Sequence, residues 1–128
     1  MISIILVITG GAIGAVLRYY TALLSALIFK NSKIFTGTVM ANIIGCLLAG
    51  ALFALYRDST LADSNLITFL TIGVLGSYTT FSTFSLELFE RLTESFRNLA
   101  LYLFMQLITA LGAVFIGYFV AAQLSGGF

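Results

Sequence analysis

The fold of this chain is decided by Gly73-Val74-Leu75-Gly76-Ser77-Tyr78-Thr79-Thr80-Phe81-Ser82-Thr83-Phe84-Ser85. This stretch lies within a hydrophobic segment, yet residues 77–85 contain six Ser and Thr hydroxyls and no charge. Its two glycines can adopt backbone conformations that other residues avoid. Hydroxyl side chains can bond the amide and carbonyl groups that leave a helical ladder. The stretch therefore predicts a membrane-spanning helix that is broken at mid-membrane, and such breaks often bind ions.

The composition supports a membrane protein and excludes several other classes. Of 128 residues, 60% are hydrophobic and 9% are charged, and the mean hydropathy is +1.10. These values are typical of the membrane class. The net charge of +1 argues against binding to nucleic acid. Because the chain has no His and one Cys, it is poorly supplied for zinc binding, disulfides or His-based catalysis, and we expect no enzymatic activity.

The hydrophobic pattern predicts an all-α integral membrane protein with a single four-helix domain. A span needs about 20 mostly apolar residues, so the length of the chain allows four spans. Small residues recur every fourth position in several of them, as at Gly10 and Gly14, which predicts close helix packing. The predicted spans cover about residues 2–29, 35–56, 66–94 and 99–124, with the break near 73–80.

Three blocks of sequence, taken together, resemble a known family. They are Gly10 to Tyr19 (Gly-Gly-Ala-Ile-Gly-Ala-Val-Leu-Arg-Tyr), Gly37 to Gly45 (Gly-Thr-Val-Met-Ala-Asn-Ile-Ile-Gly), and Gly73 to Glu87 (Gly-x-x-Gly-x-x-Thr-Thr-Phe-Ser-Thr-Phe-Ser-x-Glu). In their order and spacing they resemble the signature of the Fluc fluoride channels, also called the CrcB family. The resemblance implies a channel in the cell membrane of a prokaryote that exports fluoride passively and limits fluoride toxicity. It also implies an antiparallel, dual-topology dimer with two pores at the subunit interface.

The resemblance assigns roles to particular residues. Asn42 matches the asparagine that lines the pore, and its amide has two donors to offer an anion. Phe81 and Phe84 have ring edges with partial positive charge. A structural sodium ion is implied between the two subunits, held by the backbone carbonyls of Gly76 and Thr79. The residues expected along the fluoride pathway are Arg18, Asn42, Thr80, Phe81, Ser82, Thr83, Phe84, Tyr102, Gln106 and Thr109.

Three positions have alternative interpretations. Arg18 either attracts anions or extends to the membrane surface from the C-terminal half of its span. Glu87 either lies at a pore mouth or belongs to a solvated helix end. The family commonly has a serine where this chain has Ala110. Either Thr109 and Gln106 replace that serine, or the polar track of this subunit is impaired.

The sequence is compatible with two alternatives for function and two for assembly. A small dual-topology multidrug exporter is the competing class, but it would need a membrane-embedded carboxylate, and the acidic residues here lie at or near predicted helix ends and loops. A homodimer is the preferred assembly, with one half of a heterodimer as the alternative. The positive charges are unequally divided, with Arg57 on one predicted side of the membrane and Lys30, Lys33, Arg91 and Arg97 on the other.

Overall fold

The computed structural model of the protein describes residues 1–30, 32–57 and 64–126. All regular secondary structure in these ranges is helical. Within them, four helical stretches are long and apolar enough to cross a membrane, namely Ile2–Ile28, Gly37–Arg57, Asn65–Glu94 and Phe96–Leu124. The prediction of an all-α protein with four spans is confirmed, and the protein is a multi-pass membrane protein. We label Ile2–Ile28 α1, Gly37–Arg57 α2 and Phe96–Leu124 α6.

The third span is composed of four helical segments with one interruption. It begins with α3 (Ser64–Ile67), continues as a π-helical segment (Thr68–Leu75) and a short α4 (Gly76–Tyr78), and resumes as α5 (Phe81–Glu94). Between α4 and α5, Thr79 and Thr80 have extended backbone conformations. We call these two residues the break.

The break is shorter than the 73–80 range expected from the sequence, because Gly73 and Gly76 remain helical. Gly73 serves packing: a Cβ built on it would lie 3.0 Å from the Cα of Gly10 in α1. The neighbouring contact is similar, since a Cβ on Gly14 would lie 2.2 Å from the carbonyl oxygen of Val74. The glycines of α1 thus let the π-helical segment approach its backbone closely.

The other large helix contact joins α2 and α6, and it also depends on glycine. A Cβ built on Gly50 would lie 2.1 Å from the carbonyl oxygen of Val114, and one built on Gly117 would lie 2.0 Å from that of Leu47. Nearer the C-terminal ends of the two helices, Ala54, Ala121 and Ala122 form a small buried cluster. Backbone contact between α2 and α6 therefore holds one side of the protein together.

Polar contacts distinguish the two ends of the helical bundle. At one end, Lys33 Nζ lies 3.1 Å from Glu94 Oε2, and Arg91 donates a hydrogen bond to the carbonyl of Lys33. At the other end, Arg57 donates to the hydroxyl of Tyr118. Lys33 and Arg91 therefore lie at the same end, and Arg57 lies at the opposite one.

Candidate functional site

An open groove of about 730 Å³ runs between α2, the third span and α6. It is lined by apolar side chains and by a few polar groups near the break. Gly76 of α4 and Thr79 of the break both line the groove. Five of the residues expected along the ion pathway line it, namely Asn42, Thr80, Phe81, Phe84 and Gln106.

The break is held open by the side chain of Asn42. The amide N–H of Thr80 donates to Asn42 Oδ1 at 3.1 Å, and Asn42 Nδ2 donates to the Thr80 carbonyl at 3.4 Å. In a continuous helix the Thr80 N–H would bond the carbonyl of Gly76. Thr79 still donates to the carbonyl of Leu75 at 3.0 Å, so the helical ladder ends there. The Gly76 carbonyl is thus left without its usual helical partner, and Gly76 lines the groove.

The Thr80 hydroxyl organises the start of α5. It accepts from the backbone N–H of Thr83 at 3.3 Å, which is the usual N-cap bond. It also lies 3.2 Å from the Ser82 hydroxyl and donates to the Thr83 hydroxyl at 3.1 Å. Ser82 and Thr83 do not line the groove. Their hydroxyls are used in this cap, and their place in an ion pathway remains a prediction.

Hydroxyls before the break bond carbonyls of their own helix. The side chains of Thr71, Ser77 and Thr79 each donate to the carbonyl four residues earlier, at 2.6, 3.0 and 2.9 Å. Such bonds give a carbonyl a second partner and loosen the helix locally. The hydroxyl-rich sequence therefore supports an irregular helix as well as the interruption itself.

Three aromatic rings follow one another beyond the break. The ring centroids of Phe81 and Phe84 are 5.9 Å apart with their planes tilted by 46°. Phe84 stacks on Tyr102 of α6 at 5.9 Å, with an angle of 22° between the planes. Phe81 is 80% exposed, whereas Tyr102 is fully buried. The row of rings thus leads from the open groove into the protein interior.

On α6, Gln106 and Ala110 line the groove and Thr109 does not. The Thr109 hydroxyl donates to the Met105 carbonyl of its own helix at 2.6 Å. Gln106 is only 6% exposed, and its side-chain oxygen has no hydrogen-bond partner among the described residues. Gln106 is therefore the polar group that α6 offers to the groove beside Ala110.

The Glu87 carboxylate is largely enclosed by protein, 16% exposed, so it does not belong to a solvated helix end, and its place at a pore mouth stays a prediction. It accepts hydrogen bonds from the hydroxyls of Thr36 (2.8 Å), Thr38 (2.6 Å) and Tyr102 (2.6 Å). Arg91 Nη1 lies 3.7 Å from its Oε2. Sequence reasoning did not find Thr36, Thr38 or Arg91. The available signal was the i,i+4 spacing of Glu87 and Arg91.

Arg18 is half-buried on α1 and does not line the groove. It remains a predicted pathway residue.

A metal ion at this site would have to bind backbone oxygen. Among the described residues no group of three His, Cys, Asp or Glu side chains is placed to hold a metal. The break offers a different ligand, since the Gly76 carbonyl has lost its helical partner and Thr79 follows it at the groove. Carbonyl oxygen suits hard cations. The donor set therefore fits the sodium ion expected from the sequence.

Comparison with known proteins decides the family. Residues 5–118 match the family described as CrcB-like protein, Camphor Resistance (CrcB). The chain belongs to the CrcB-like family. The match includes the break, Asn42 and the aromatic row, so the groove is built from residues within the family region, and the resemblance noted in the sequence is confirmed.

Relatives of this CrcB-like chain carry informative names. It is 39% identical to "Fluoride-specific ion channel FluC" of Agrobacterium fabrum, over 97% of this chain and 99% of that protein. It is 40% identical to "Fluoride-specific ion channel FluC 2" of Staphylococcus epidermidis, over 92% and 98% of the two chains. It is 45% identical to the "Fluoride-specific ion channel FluC" of Clostridium perfringens, over 66% of each chain, so the aligned region spans just under two thirds of that relative.

Proposed function

We propose that this protein is a fluoride-selective channel that lets fluoride leave the cell passively and so limits fluoride toxicity. The observation that carries the proposal is the groove in which Asn42 and the exposed Phe81 ring lie beside the break. The names of the relatives support fluoride as the ion. A multi-pass protein of this kind would act in the cell membrane of a prokaryote.

The groove offers weak contacts that suit a small, strongly hydrated anion. Asn42 Nδ2 carries two hydrogens, and one bond to Thr80 leaves the second available. The Gln106 amide and the ring edges of Phe81 and Phe84 add further partial positive charge along the same groove. Several weak contacts allow an ion to enter without being trapped. The arrangement therefore supports permeation more than tight binding.

The state of Glu87 supports passive conduction over proton-coupled export. A multidrug exporter of this size would need an embedded carboxylate that exchanges protons. Glu87 is the embedded carboxylate in the described part of the chain, and three hydroxyls and Arg91 are arranged around it. The three hydroxyls occupy both carboxylate oxygens, and Glu87 does not line the groove, so it is not placed to exchange protons with a substrate there. We therefore propose that no proton or sodium gradient is coupled to fluoride movement.

We propose that a second subunit, inserted in the opposite orientation, closes the groove and forms two pores. A single chain leaves the groove open, with Phe81 exposed to 80%, so one subunit alone cannot shield an ion from lipid. An antiparallel homodimer brings two identical faces together about a two-fold axis. A paralogous partner with a polar residue opposite Ala110 is the alternative, and the unequal distribution of Lys and Arg favours it.

We further propose that a structural sodium ion lies on this two-fold axis, held by the Gly76 and Thr79 carbonyls of both subunits. The ion would bring positive charge close to an anion path lined by few charged groups. Asn42 supports such a site indirectly, because its bonds to Thr80 keep the backbone from closing into a helix.

Sodium should therefore stabilise the assembled protein. We expect a higher melting temperature in sodium chloride than in N-methylglucamine chloride, since a ligand at 100 times its Kd adds about 2.7 kcal/mol. Because the ligands are backbone atoms, Thr79→Ala should keep this dependence. Equal melting temperatures in the two salts, or a sodium effect that disappears in Thr79→Ala, would contradict the site.

Ion flux from liposomes tests the proposed function directly. Purified protein should release fluoride from loaded liposomes down its gradient and release chloride far more slowly. Proton and sodium gradients are set to zero in one series and imposed in another. Flux that requires either gradient, or equal flux of chloride, would show that the protein is not a passive fluoride channel.

The exposed ring of Phe81 should be needed for flux but not for folding. Phe81→Ala should slow fluoride flux by about tenfold or more, because it removes ring-edge contacts from the path. Phe89→Ala is the matched control, since Phe89 is 64% exposed on the same helix but does not line the groove. Both variants should elute as wild-type protein from a sizing column. Similar flux in the two variants would mean that the ring is only a packing group.

A further inference from the structure

Arg91 is a buried cation at the inner end of the aromatic row. Its side chain is 12% exposed, and its guanidinium lies 3.9 Å from the centroid of the Tyr102 ring. One nitrogen donates to the backbone carbonyl of Glu87 at 2.9 Å and lies 3.7 Å from the Glu87 carboxylate. Another donates to the carbonyl of Lys33. These contacts fix the charge in one position.

The Tyr102 ring connects this charge pair to a residue that lines the groove. Phe84 lines the groove, and Tyr102 stacks on it at 5.9 Å. The Arg91 guanidinium lies over the same ring, 3.9 Å from its centroid. The Tyr102 hydroxyl donates to Glu87 Oε2 at 2.6 Å. Tyr102 therefore contacts both the groove-lining Phe84 and the pair of Glu87 and Arg91.

The position of Glu87 presents an electrostatic problem for an anion path. The hydroxyls of Thr36, Thr38 and Tyr102 stabilise the carboxylate, but neutral donors leave its net charge in place. Charges within a low-dielectric interior are poorly screened. An anion beside Phe84 in the groove would thus be repelled by this carboxylate, since Tyr102 contacts both residues. A buried cation beside the carboxylate removes this repulsion.

Arg91 is the group that supplies this cation. The nearby ammonium of Lys33 pairs instead with Glu94, and these two side chains are 76% and 52% exposed, so solvent screens them. Glu90 is exposed as well. We infer that Arg91 is the counter-charge that cancels the field of Glu87 at the inner end of the groove and so permits anions to enter. This inference rests on the proposed conduction of anions.

Three variants of the full-length protein test whether Arg91 acts through its charge or through its hydrogen bonds and packing contacts. Arg91→Met removes the charge and keeps much of the side-chain volume. Arg91→Lys keeps the charge and loses the planar group that reaches several partners at once. Glu87→Gln combined with Arg91→Met removes both charges. The matched control is Arg97→Gln, which removes one positive charge from the exposed start of α6.

Fluoride flux from liposomes is measured at low and high ionic strength for protein that elutes as wild type from a sizing column. In low salt we expect Arg91→Met to lower flux by about tenfold, with a smaller loss in high salt, because screening weakens the repulsion. Arg91→Lys should stay within about threefold of wild type, since it keeps the charge. The double variant should conduct faster than Arg91→Met alone. Arg97→Gln should change flux little.

Other outcomes overturn the inference. If Arg91→Met behaves like Arg97→Gln in low salt, Arg91 does not influence anion entry. If Arg91→Lys loses as much flux as Arg91→Met, or the double variant recovers none, Arg91 acts through its contacts and not its charge. If Arg91→Met does not fold, Arg91→Lys is compared with wild type in low salt, and a loss of about tenfold or more in Arg91→Lys overturns the inference. Failure of the wild-type protein to conduct fluoride would instead refute the proposed function.

Discussion

Replacement of Gly117 by alanine should severely destabilise this protein, whereas the same replacement at Gly112 should be tolerated. A Cβ on Gly117 would lie 2.0 Å from the backbone carbonyl oxygen of Leu47 and 2.9 Å from its carbon. A backbone atom cannot rotate away, so α2 and α6 would have to separate. Overpacking of this kind costs about 3 kcal/mol, and here it acts on the contact that joins two of the four spans. A Cβ on Gly112 meets nothing within 4 Å.

The two variants form a matched pair because both add one methyl group to α6. Both gain the same helix propensity, about 1 kcal/mol in favour of alanine, so their difference isolates the backbone clash. The measurement is the melting temperature and the yield of monodisperse protein in detergent. Equal melting temperatures for Gly117→Ala and Gly112→Ala would mean that the helices separate at little cost, and that the close α2–α6 contact does not stabilise the fold.

Replacement of Asn42 by alanine should reduce fluoride flux by about a hundredfold, the order of a lost preorganised donor. Two effects combine in this variant. The Thr80 N–H and carbonyl lose the hydrogen bonds that Asn42 provides, and an unsatisfied backbone group is costly within a membrane. The groove also loses one of its two side-chain amides, the other being that of Gln106. Cys46→Ala is the control, since Cys46 lies one helical turn further along α2 and lines the same groove.

Asn42→Asp separates the two effects. A carboxylate can still accept from the Thr80 N–H, so the break should persist, but its charge would repel an anion in the groove. We expect this variant to assemble with near wild-type stability and to conduct little fluoride. Wild-type flux in Asn42→Ala would mean that Asn42 only packs between helices and is not needed for conduction. Collapse of Asn42→Asp during purification would show that its donor to the Thr80 carbonyl matters more for folding than its acceptor does.

Local sequence patterns were sufficient for the membrane class, the four spans and the family. Hydropathy over about 20 residues reports a span directly, and the hydroxyl-rich stretch around Thr79 and Thr80 marked the region of the interruption. The spacing of Gly10 and Gly14 indicated close packing. These features can be predicted because each depends on residues within one or two helical turns of one another.

The length of the break, however, depended on tertiary structure. Gly73 belongs to the same hydroxyl-rich stretch, yet it packs on Gly10 and stays helical. The helix ends at Tyr78 and the chain stays extended through Thr80, whose backbone hydrogen bonds are taken by Asn42, 38 residues away. The local sequence makes an irregular backbone possible in this stretch. Which residue leaves the helix depends on Asn42, a distant residue that binds the backbone there.

Tertiary structure also decided what surrounds Glu87. From the sequence, a carboxylate in the last turns of an amphipathic helix was either at a pore mouth or in solvent. In the folded protein it is enclosed by Thr36, Thr38 and Tyr102, which lie 51, 49 and 15 residues away in the chain. Hydropathy and spacing describe each helix alone, whereas burial and hydrogen bonding of a charge depend on which helices face one another. The sequence by itself therefore determined that the charge is present, and only the packing of α2, α5 and α6 determined that it is buried beside the groove and paired with Arg91.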